Sequence, residues 1–258
     1  MTKIAIITGA TSGLGREFAK RVDAGEAGYI DEIWAFGRRA TRLEALVRTL
    51  DTPVRPFCLD LCDPMSFDLV DAALEETPDA EVRLLVNNAG AGTFGPLAKQ
   101  CREDAQSMMA LLMRAPVELI YRALPYMAAG SRIIDIASVA AFTPQPGLAL
   151  YSSAKRFVLD MTRALNAELT GTGITACAVC PKFMRTEFLA EPGDAAAAQA
   201  MTKIGFEKPE NVAAAALAAA AAGRDLCIPS LDMKAYYALS HVLPYRVQLD
   251  IQRALGII

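Results

Sequence analysis

The chain has 258 residues and a formal net charge of −3, and 53% of its residues are hydrophobic against 21% charged. This composition is typical of an ordered globular protein and excludes a disordered one. Basic residues are scattered along the chain, which argues against a nucleic-acid partner or an anionic membrane surface. The longest alanine-rich run, residues 212–222, is too short for the ~20 residues of a bilayer-spanning helix, and the N-terminus shows no signal-peptide pattern. We therefore expect a cytoplasmic protein, outside membranes, whose partner is a small molecule.

Short apolar runs alternate with helical patterns along the chain. Strands that alternate with helices predict a parallel sheet, and runs that are apolar throughout are typical of strands buried on both faces. The sequence thus predicts one α/β domain over residues 1–258, a Rossmann-like doubly wound parallel sheet of about seven strands with helices on both faces. The predicted strands lie at residues 4–8, 32–36, 54–59, 84–87, 132–137, 174–179 and 226–229, and the predicted helices at 13–24, 40–50, 64–75, 101–128, 151–169 and 209–222.

Two stretches outside these patterns are candidates for contact with a substrate. Residues 182–208 follow the carboxyl end of a predicted strand, which is the edge where open α/β sheets bind ligands. Residues 231–258 are rich in Ala, Leu, Met and Tyr. We expect a substrate loop at about 182–208 and a C-terminal segment at 231–258 that together set substrate size. A lid or a subunit contact would explain the same residues.

The first predicted strand runs into the glycine-rich turn TGATSGLG at residues 8–15, which opens the first helix. Glycines allow the tight turn and let backbone N–H groups approach a pyrophosphate at the helix N-terminus, where the helix dipole favours negative charge. A plain strand-to-helix connection would also use such glycines, but the position after the first strand of an α/β chain favours a dinucleotide. The residues predicted to bind it here are Thr8, Gly9, Thr11, Ser12, Gly13, Leu14 and Gly15.

The residues after the second predicted strand indicate which nicotinamide cofactor is preferred. Folds specific for NAD usually place a carboxylate here, which accepts hydrogen bonds from the ribose 2′-hydroxyl. This chain has Arg38 and Arg39 instead, and guanidinium groups are suited to the 2′-phosphate of NADP. We therefore expect NADP(H) as the preferred cofactor and NAD(H) as the second option. The alternative is two solvated arginines at the start of a helix.

Tyr151 and Lys155 stand four residues apart in a predicted helix and therefore lie on the same face. An adjacent ammonium lowers the pKa of a phenol, which is ~10 in isolation, and would make Tyr151 an acid–base catalyst at neutral pH. By itself the spacing fits an amphipathic surface pair better. Ser138, thirteen residues before Tyr151 at the end of the fifth predicted strand, favours a catalytic trio.

The glycine turn, the motif Asn87-Asn88-Ala89-Gly90 and the spacing of Ser138, Tyr151 and Lys155 together resemble the short-chain dehydrogenase/reductase superfamily. The resemblance implies an NADP(H)-dependent oxidoreductase that interconverts a small-molecule carbonyl and a secondary alcohol by hydride transfer. It implies that Tyr151 is the general acid/base, that Ser138 hydrogen-bonds the substrate oxygen and that Lys155 holds the nicotinamide ribose. Further cofactor contacts implied by the resemblance are Asp60 and Leu61 at the adenine, Asn88, Ala89 and Gly90, and Pro181 and Thr186 at the nicotinamide.

Two positions depart from the family pattern. Leu112 stands where many members carry an asparagine that holds a water connected to the catalytic lysine, and Lys182 replaces the usual glycine after Pro181. One alternative is therefore a non-catalytic dinucleotide-binding regulator or scaffold, and another is a related enzyme for epimerisation, dehydration or enoyl reduction. By resemblance, the helices at 101–128 and 151–169 would pair across a two-fold axis to give a homodimer or homotetramer.

The cysteines and the histidine predict no metal site. Cys177 and Cys180 form a C-x-x-C pair, but they have opposite parity on a predicted strand and so point to opposite faces. They could share neither a metal nor a disulfide, and we expect buried thiols. The single histidine, His241, lies in an apolar tail and is predicted to pack rather than to catalyse.

Overall fold

The computed structural model describes residues 1–187 and 204–254, and the strands within them form one parallel sheet. The strands are β1 (Thr2–Thr8), β2 (Glu32–Gly37), β3 (Val54–Cys58), β4 (Ala80–Asn87), β5 (Arg132–Ile136), β6 (Thr175–Val179) and β7 (Leu226–Cys227). Their order across the sheet is β3-β2-β1-β4-β5-β6-β7, which confirms the predicted doubly wound sheet. The strand order reverses between β1 and β4, so a ligand crevice is expected at the carboxyl ends of these two strands.

Helices cover both faces of the sheet, as predicted. The strand β1 shows why its sequence is apolar throughout: Ile4 and Ile6 pack in the core on one face, and Ala5 and Ile7 pack in the core on the other. Side chains alternate along a strand, so a strand between two helical layers needs apolar residues at every position. The helices are α1 (Gly13–Asp23), α2 (Ala40–Thr49), α3 (Ser66–Glu76), α4 (Arg102–Met109), α5 (Ala115–Ala123), α6 (Ala149–Glu168), α7 (Pro209–Ala221), α8 (Leu231–Val242) and α9 (Tyr245–Ala254).

The prediction of one continuous helix at 101–128 is wrong, because the structure divides this stretch into α4 and α5. Between α4 and α5 the chain forms a π-helical turn, Ala110–Arg114, in which the amide of Ala115 donates to Ala110 O five residues back. Pro116, near the start of α5, has no backbone N–H and cannot make the α-helical bond to the carbonyl of Leu112. The wider turn accommodates this missing donor, and such turns are frequent at functional sites.

The C-terminal helices α8 and α9 had no assignment from the sequence. Phe142, which follows β5, lies edge-on to Tyr237 of α8, with ring centres 4.8 Å apart. Gln252 of α9 is buried, and its Nε2 donates to Thr143 Oγ1 at 2.9 Å. Helices α8 and α9 are therefore packed beside the carboxyl end of β5.

Parts of two predicted segments are outside the described residues. They are residues 188–203 of the predicted substrate loop and residues 255–258 of the C-terminal segment. In the described part of the chain, none of the helices combines the length and the apolar composition needed to cross a bilayer.

Candidate active site

The loops after β1 and β4 are bonded to each other at the carboxyl edge of the sheet. Thr8 Oγ1 accepts hydrogen bonds from the amides of Asn88 and Ala89, each at 2.9 Å, and Asn88 Nδ2 donates to Thr8 O at 2.9 Å. Gly9 has a φ of 66°, a left-handed conformation that glycine adopts without strain. A Cβ on Gly15 would overlap the carbonyl oxygen of Gly9. The two sequence motifs therefore form a single tightly packed unit.

The N-terminus of α1 in this unit is open to an anion. Ser12 precedes the helix without a side-chain capping bond, and the first turn contains no acidic residue. Uncapped amides and the helix dipole together favour a negatively charged group such as a phosphate. Gly13 has a φ of 50°, and a Cβ there would lie 3.0 Å from Thr186 Cγ2, so Thr186 lies directly over the turn. The side chain of Leu14 is buried in the core, so this residue offers the turn its backbone only.

Beside the glycine turn, two arginines hold a carboxylate. Arg39 Nη2 donates to Ser12 Oγ at 3.0 Å and to Thr11 Oγ1 at 3.3 Å, while its Nη1 lies 2.5 Å from Glu187 Oε2. Arg42 Nη1 lies 2.6 Å from the other carboxylate oxygen of Glu187. The hydrogen bonds from Arg39 and Arg42 hold the pKa of Glu187 below its usual range. Arg42 was not among the predicted cofactor residues, although its position three residues after Arg39, at the start of α2, was a usable signal.

The other predicted cofactor residues lie along the same edge. Arg38 is exposed directly after β2, and Asp60 Oδ1, after β3, accepts a hydrogen bond from the amide of Cys62 at 2.9 Å. Leu61 is buried in the core on the α3 side of the sheet, and Gly90 is exposed. Pro181, after β6, accepts a hydrogen bond at its carbonyl from the amide of Val139 at 3.1 Å.

The predicted catalytic trio is brought together at the end of β5. Ser138 follows this strand, and its Oγ accepts a hydrogen bond from the amide of Ala140 at 3.1 Å. The hydroxyls of Ser138 and Tyr151 are hydrogen-bonded. On α6, Lys155 Nζ lies 5.9 Å from the centre of the Tyr151 ring and donates to Ile136 O at 2.7 Å. The i, i+4 spacing therefore places the phenol and the ammonium on one face, as predicted.

The two titratable groups of the trio have shifted pKa values. Burial raises the pKa of Tyr151 to about 12, and the hydrogen bond with Ser138 offsets part of this rise. The expectation that Lys155 leaves Tyr151 with a pKa below ~10 is wrong for this arrangement, because burial outweighs the other contributions. Burial lowers the pKa of Lys155 to about 8, against the opposing influence of Cys180 and Asp135.

A buried carboxylate that was not among the predicted site residues lies near Lys155. Asp135 of β5 is fully buried, and it accepts hydrogen bonds from Asn87 Nδ2 and Thr162 Oγ1, each at 2.7 Å. Burial raises its pKa to about 6, while these two donors and Lys155 act in the opposite direction. The signal in the sequence was an acidic residue in the middle of an apolar strand, which is costly unless it is paired.

Leu112 and Lys182, the two departures from the family pattern, lie in different environments. Leu112 is buried in an apolar cluster with Met108 and Ala154, and Tyr151 packs against this cluster. The amide of Lys182 donates to Glu207 Oε2 at 3.0 Å, and its Nζ lies 2.8 Å from Asp232 Oδ2 of α8. Lys182 thus ties the segment after β6 to the C-terminal helices.

The C-x-x-C pair is confirmed as two separate buried thiols. Cys177 and Cys180 are both free and fully inaccessible to solvent. Cys177 belongs to the core cluster on the α1 side of the sheet, and Cys180 belongs to the cluster around Phe142. Within residues 1–187 and 204–254, no group of three or more His, Cys, Asp or Glu side chains is placed to hold a metal ion.

Comparison with known proteins agrees with this geometry. The family model for short chain dehydrogenases matches residues 3–197. A sulfoacetaldehyde reductase of Chromohalobacter salexigens is 36% identical over 211 residues, which cover 78% of this chain and 81% of that protein. A solved short-chain dehydrogenase from Sphingobium yanoikuyae in complex with NADPH has a TM-score of 0.77 at 25% identity, covering 100% of this chain and 96% of that one. A short-chain dehydrogenase/reductase from Burkholderia phymatum in complex with NAD has a TM-score of 0.81 at 25% identity, covering 93% and 92%.

The chain belongs to the short chain dehydrogenase family, and it is an oxidoreductase. The named activities of its relatives do not favour the non-catalytic alternative that Leu112 had raised.

Proposed function

We propose that this protein is an NADP(H)-dependent oxidoreductase that interconverts a carbonyl and a secondary alcohol, with Tyr151 as the general acid/base. The observation that carries the proposal is the hydrogen-bonded pair of Tyr151 and Ser138, with Lys155 on the same helical face as Tyr151. The pair lies at the carboxyl edge of the sheet, where the glycine turn also lies. A bound nicotinamide would supply or accept the hydride in this crevice.

The glycine turn and the arginines support a dinucleotide carrying a 2′-phosphate. The uncapped N-terminus of α1 suits a pyrophosphate, and the bonded unit of Thr8, Asn88 and Ala89 holds the turn rigid for it. The guanidinium groups of Arg38, exposed after β2, and Arg39, held against the turn, support the assignment of a 2′-phosphate to this end of the site. Relatives in complex with NADPH and with NAD are both known, so NAD(H) remains the second option. The full set proposed to hold the cofactor is Thr8, Gly9, Thr11, Ser12, Gly13, Leu14, Gly15, Arg38, Arg39, Asp60, Leu61, Asn88, Ala89, Gly90, Tyr151, Lys155, Pro181 and Thr186.

The proton chemistry of the trio favours carbonyl reduction. Because burial holds the pKa of Tyr151 at about 12, its phenol is protonated at neutral pH and can donate to a carbonyl oxygen. The Ser138 hydroxyl can donate a second hydrogen bond to the same oxygen as charge develops on it. The Lys155 ammonium, 5.9 Å from the ring centre, stabilises the phenolate that remains after proton donation.

We propose that residues 1–258 form one domain, with a substrate loop at about 182–208 and a C-terminal segment at 231–258. The ion pair of Lys182 with Asp232 and the packing of Tyr237 on Phe142 support this, because they join both segments to the end of β5 or β6. The reductase from Chromohalobacter salexigens is named for a small anionic aldehyde. We therefore propose a small carbonyl compound as substrate, and a trial panel that includes anionic aldehydes beside apolar ketones.

We also propose that the chain forms a homodimer or homotetramer through α4, α5 and α6. On α5, Tyr121 is 73% exposed and is available for contact with a second copy. Light scattering of the purified protein tests this, and a mass of one chain at micromolar concentration would reject it.

The test of the catalytic proposal is a pair of tyrosine substitutions. Tyr151→Phe removes the proton donor, and Tyr29→Phe removes an exposed hydroxyl in the loop between α1 and β2 as a matched control. We expect Tyr151→Phe still to bind NADPH in a fluorescence titration, with affinity lowered by less than about tenfold, while NADPH oxidation with a carbonyl substrate falls by about 10²-fold or more. Unchanged turnover in Tyr151→Phe would reject the assigned role, and stronger binding of NADH than of NADPH would reject the cofactor preference.

A further inference from the structure

Glu187 occupies two guanidinium groups, those of Arg39 and Arg42, at the end of the site proposed for the 2′-phosphate. Its two carboxylate oxygens lie 2.5 Å from Arg39 Nη1 and 2.6 Å from Arg42 Nη1. The carboxylate thus bridges two guanidinium groups that stand one helical turn apart at the start of α2. Carboxylates and phosphates bind guanidinium groups through the same charge-assisted hydrogen bonds, so the two anions compete for these donors.

The position of the bridge supports this competition. Arg39 uses its other terminal nitrogen to reach Ser12 Oγ at 3.0 Å, so its guanidinium is fixed against the glycine turn. The residue before Glu187, Thr186, lies over Gly13 of the same turn. The start of the predicted substrate loop therefore crosses from the glycine turn to α2.

From this arrangement we propose that Glu187 determines cofactor specificity by competing with the 2′-phosphate of NADP(H) for Arg39 and Arg42. The inference rests on the proposed NADP(H) preference and extends it to Arg42 and to the loop. A 2′-phosphate displaces the carboxylate and frees the start of the loop from α2. NADH lacks the 2′-phosphate, so on this proposal NADH leaves the bridge intact.

The test is a direct binding comparison between Glu187→Gln and a matched control, Glu44→Gln, which removes an exposed carboxylate from α2 two residues after Arg42. The probes are NADPH, NADH and adenosine 2′,5′-bisphosphate at one fixed ionic strength. Exposed ion pairs of this kind are weak, so Glu187→Gln should bind NADPH and the bisphosphate only about fivefold more tightly. NADH binding should change less than about twofold, and Glu44→Gln should match the unmodified protein with all three probes.

Substitution of Arg42 supplies the second measurement. Arg42→Gln removes one of the two guanidinium groups that Glu187 bridges, and it should weaken NADPH binding about tenfold while NADH binding stays within about twofold. Equal NADPH affinity in Glu187→Gln and the unmodified protein would overturn the proposal. So would an equal gain for NADH and NADPH, because that result indicates general charge repulsion rather than competition at the 2′-phosphate.

The bisphosphate separates this inference from the proposed function. If NADPH failed to bind while Glu187→Gln still bound the bisphosphate more tightly than the unmodified protein did, the competition would stand and the cofactor assignment would fall. If no variant altered bisphosphate binding, the competition itself would be rejected, whatever the enzyme's activity.

Discussion

Replacing Asp135 by asparagine should stabilise the protein at neutral pH. The carboxyl group is fully buried, and burial raises its pKa from an ordinary 3.8 to about 6. Asparagine has the same shape and the hydrogen bonds of the neutral acid. Its oxygen can accept from Asn87 Nδ2, its amide can donate to Thr162 Oγ1, and the Thr162 hydroxyl can donate to Val158 O, to which it lies at 2.7 Å.

The sign and size follow from the raised pKa. Between pH 3.8 and about 6 the folded protein still holds a proton that the unfolded chain has released, so its stability falls as the pH rises through this window. With ~1.4 kcal/mol for each pH unit of pKa difference, the buried carboxylate costs the folded state about 3 kcal/mol above pH 7. Asp135→Asn escapes this cost, so its advantage in the free energy of unfolding should grow from about 1 kcal/mol near pH 4.5 to about 3 near pH 7.5.

Urea unfolding followed by tryptophan fluorescence measures this difference. Trp34 is the single tryptophan of the chain and is fully buried in β2, so its emission reports global unfolding. Asp51→Asn, at an exposed position, serves as the control and should show no comparable rise with pH. A variant at Asp135 that is less stable than the unmodified protein near pH 7.5, or an advantage that stays constant over this pH range, would refute the reasoning.

Three further outcomes are expected. Gly15→Ala should lower the free energy of unfolding by about 3 kcal/mol or more, because the alanine Cβ would overlap the backbone carbonyl of Gly9. The same urea experiment measures this, and unchanged stability would contradict the packing of the turn. Burial lowers the pKa of Lys155 to about 8, so kcat/KM for carbonyl reduction should fall as the pH rises through about 8 and the ammonium loses its proton. A pH profile of kcat/KM that stays flat to about pH 10 would contradict this. Cys177 and Cys180 should react with a thiol reagent only after denaturation, since both are buried and burial raises the pKa of Cys180 to about 12. Rapid labelling of either thiol in the native protein would show that β6 is placed wrongly.

The sequence alone was sufficient for the features that depend on local periodicity. Apolar runs separated by helical patterns predicted the parallel sheet, and the glycine turn marked the carboxyl end of β1. Opposite parity on one strand predicted that Cys177 and Cys180 face different layers. The four-residue spacing predicted a shared helical face for Tyr151 and Lys155. In each case the geometry of a single helix, strand or turn determines the result, so near neighbours in sequence carry the information.

Only the tertiary structure reveals the contacts and pKa values that depend on residues distant in sequence. Asp135 is hydrogen-bonded to Asn87, which lies 48 residues earlier in the sequence, and Arg42 is bonded to Glu187, which lies 145 residues later. No local sequence pattern predicts either contact. The balance of burial against charge also raised the pKa of Tyr151, where the adjacent lysine alone predicted a fall. Burial is a property of the assembled core, and the pKa of each buried group depends on all the segments packed around it.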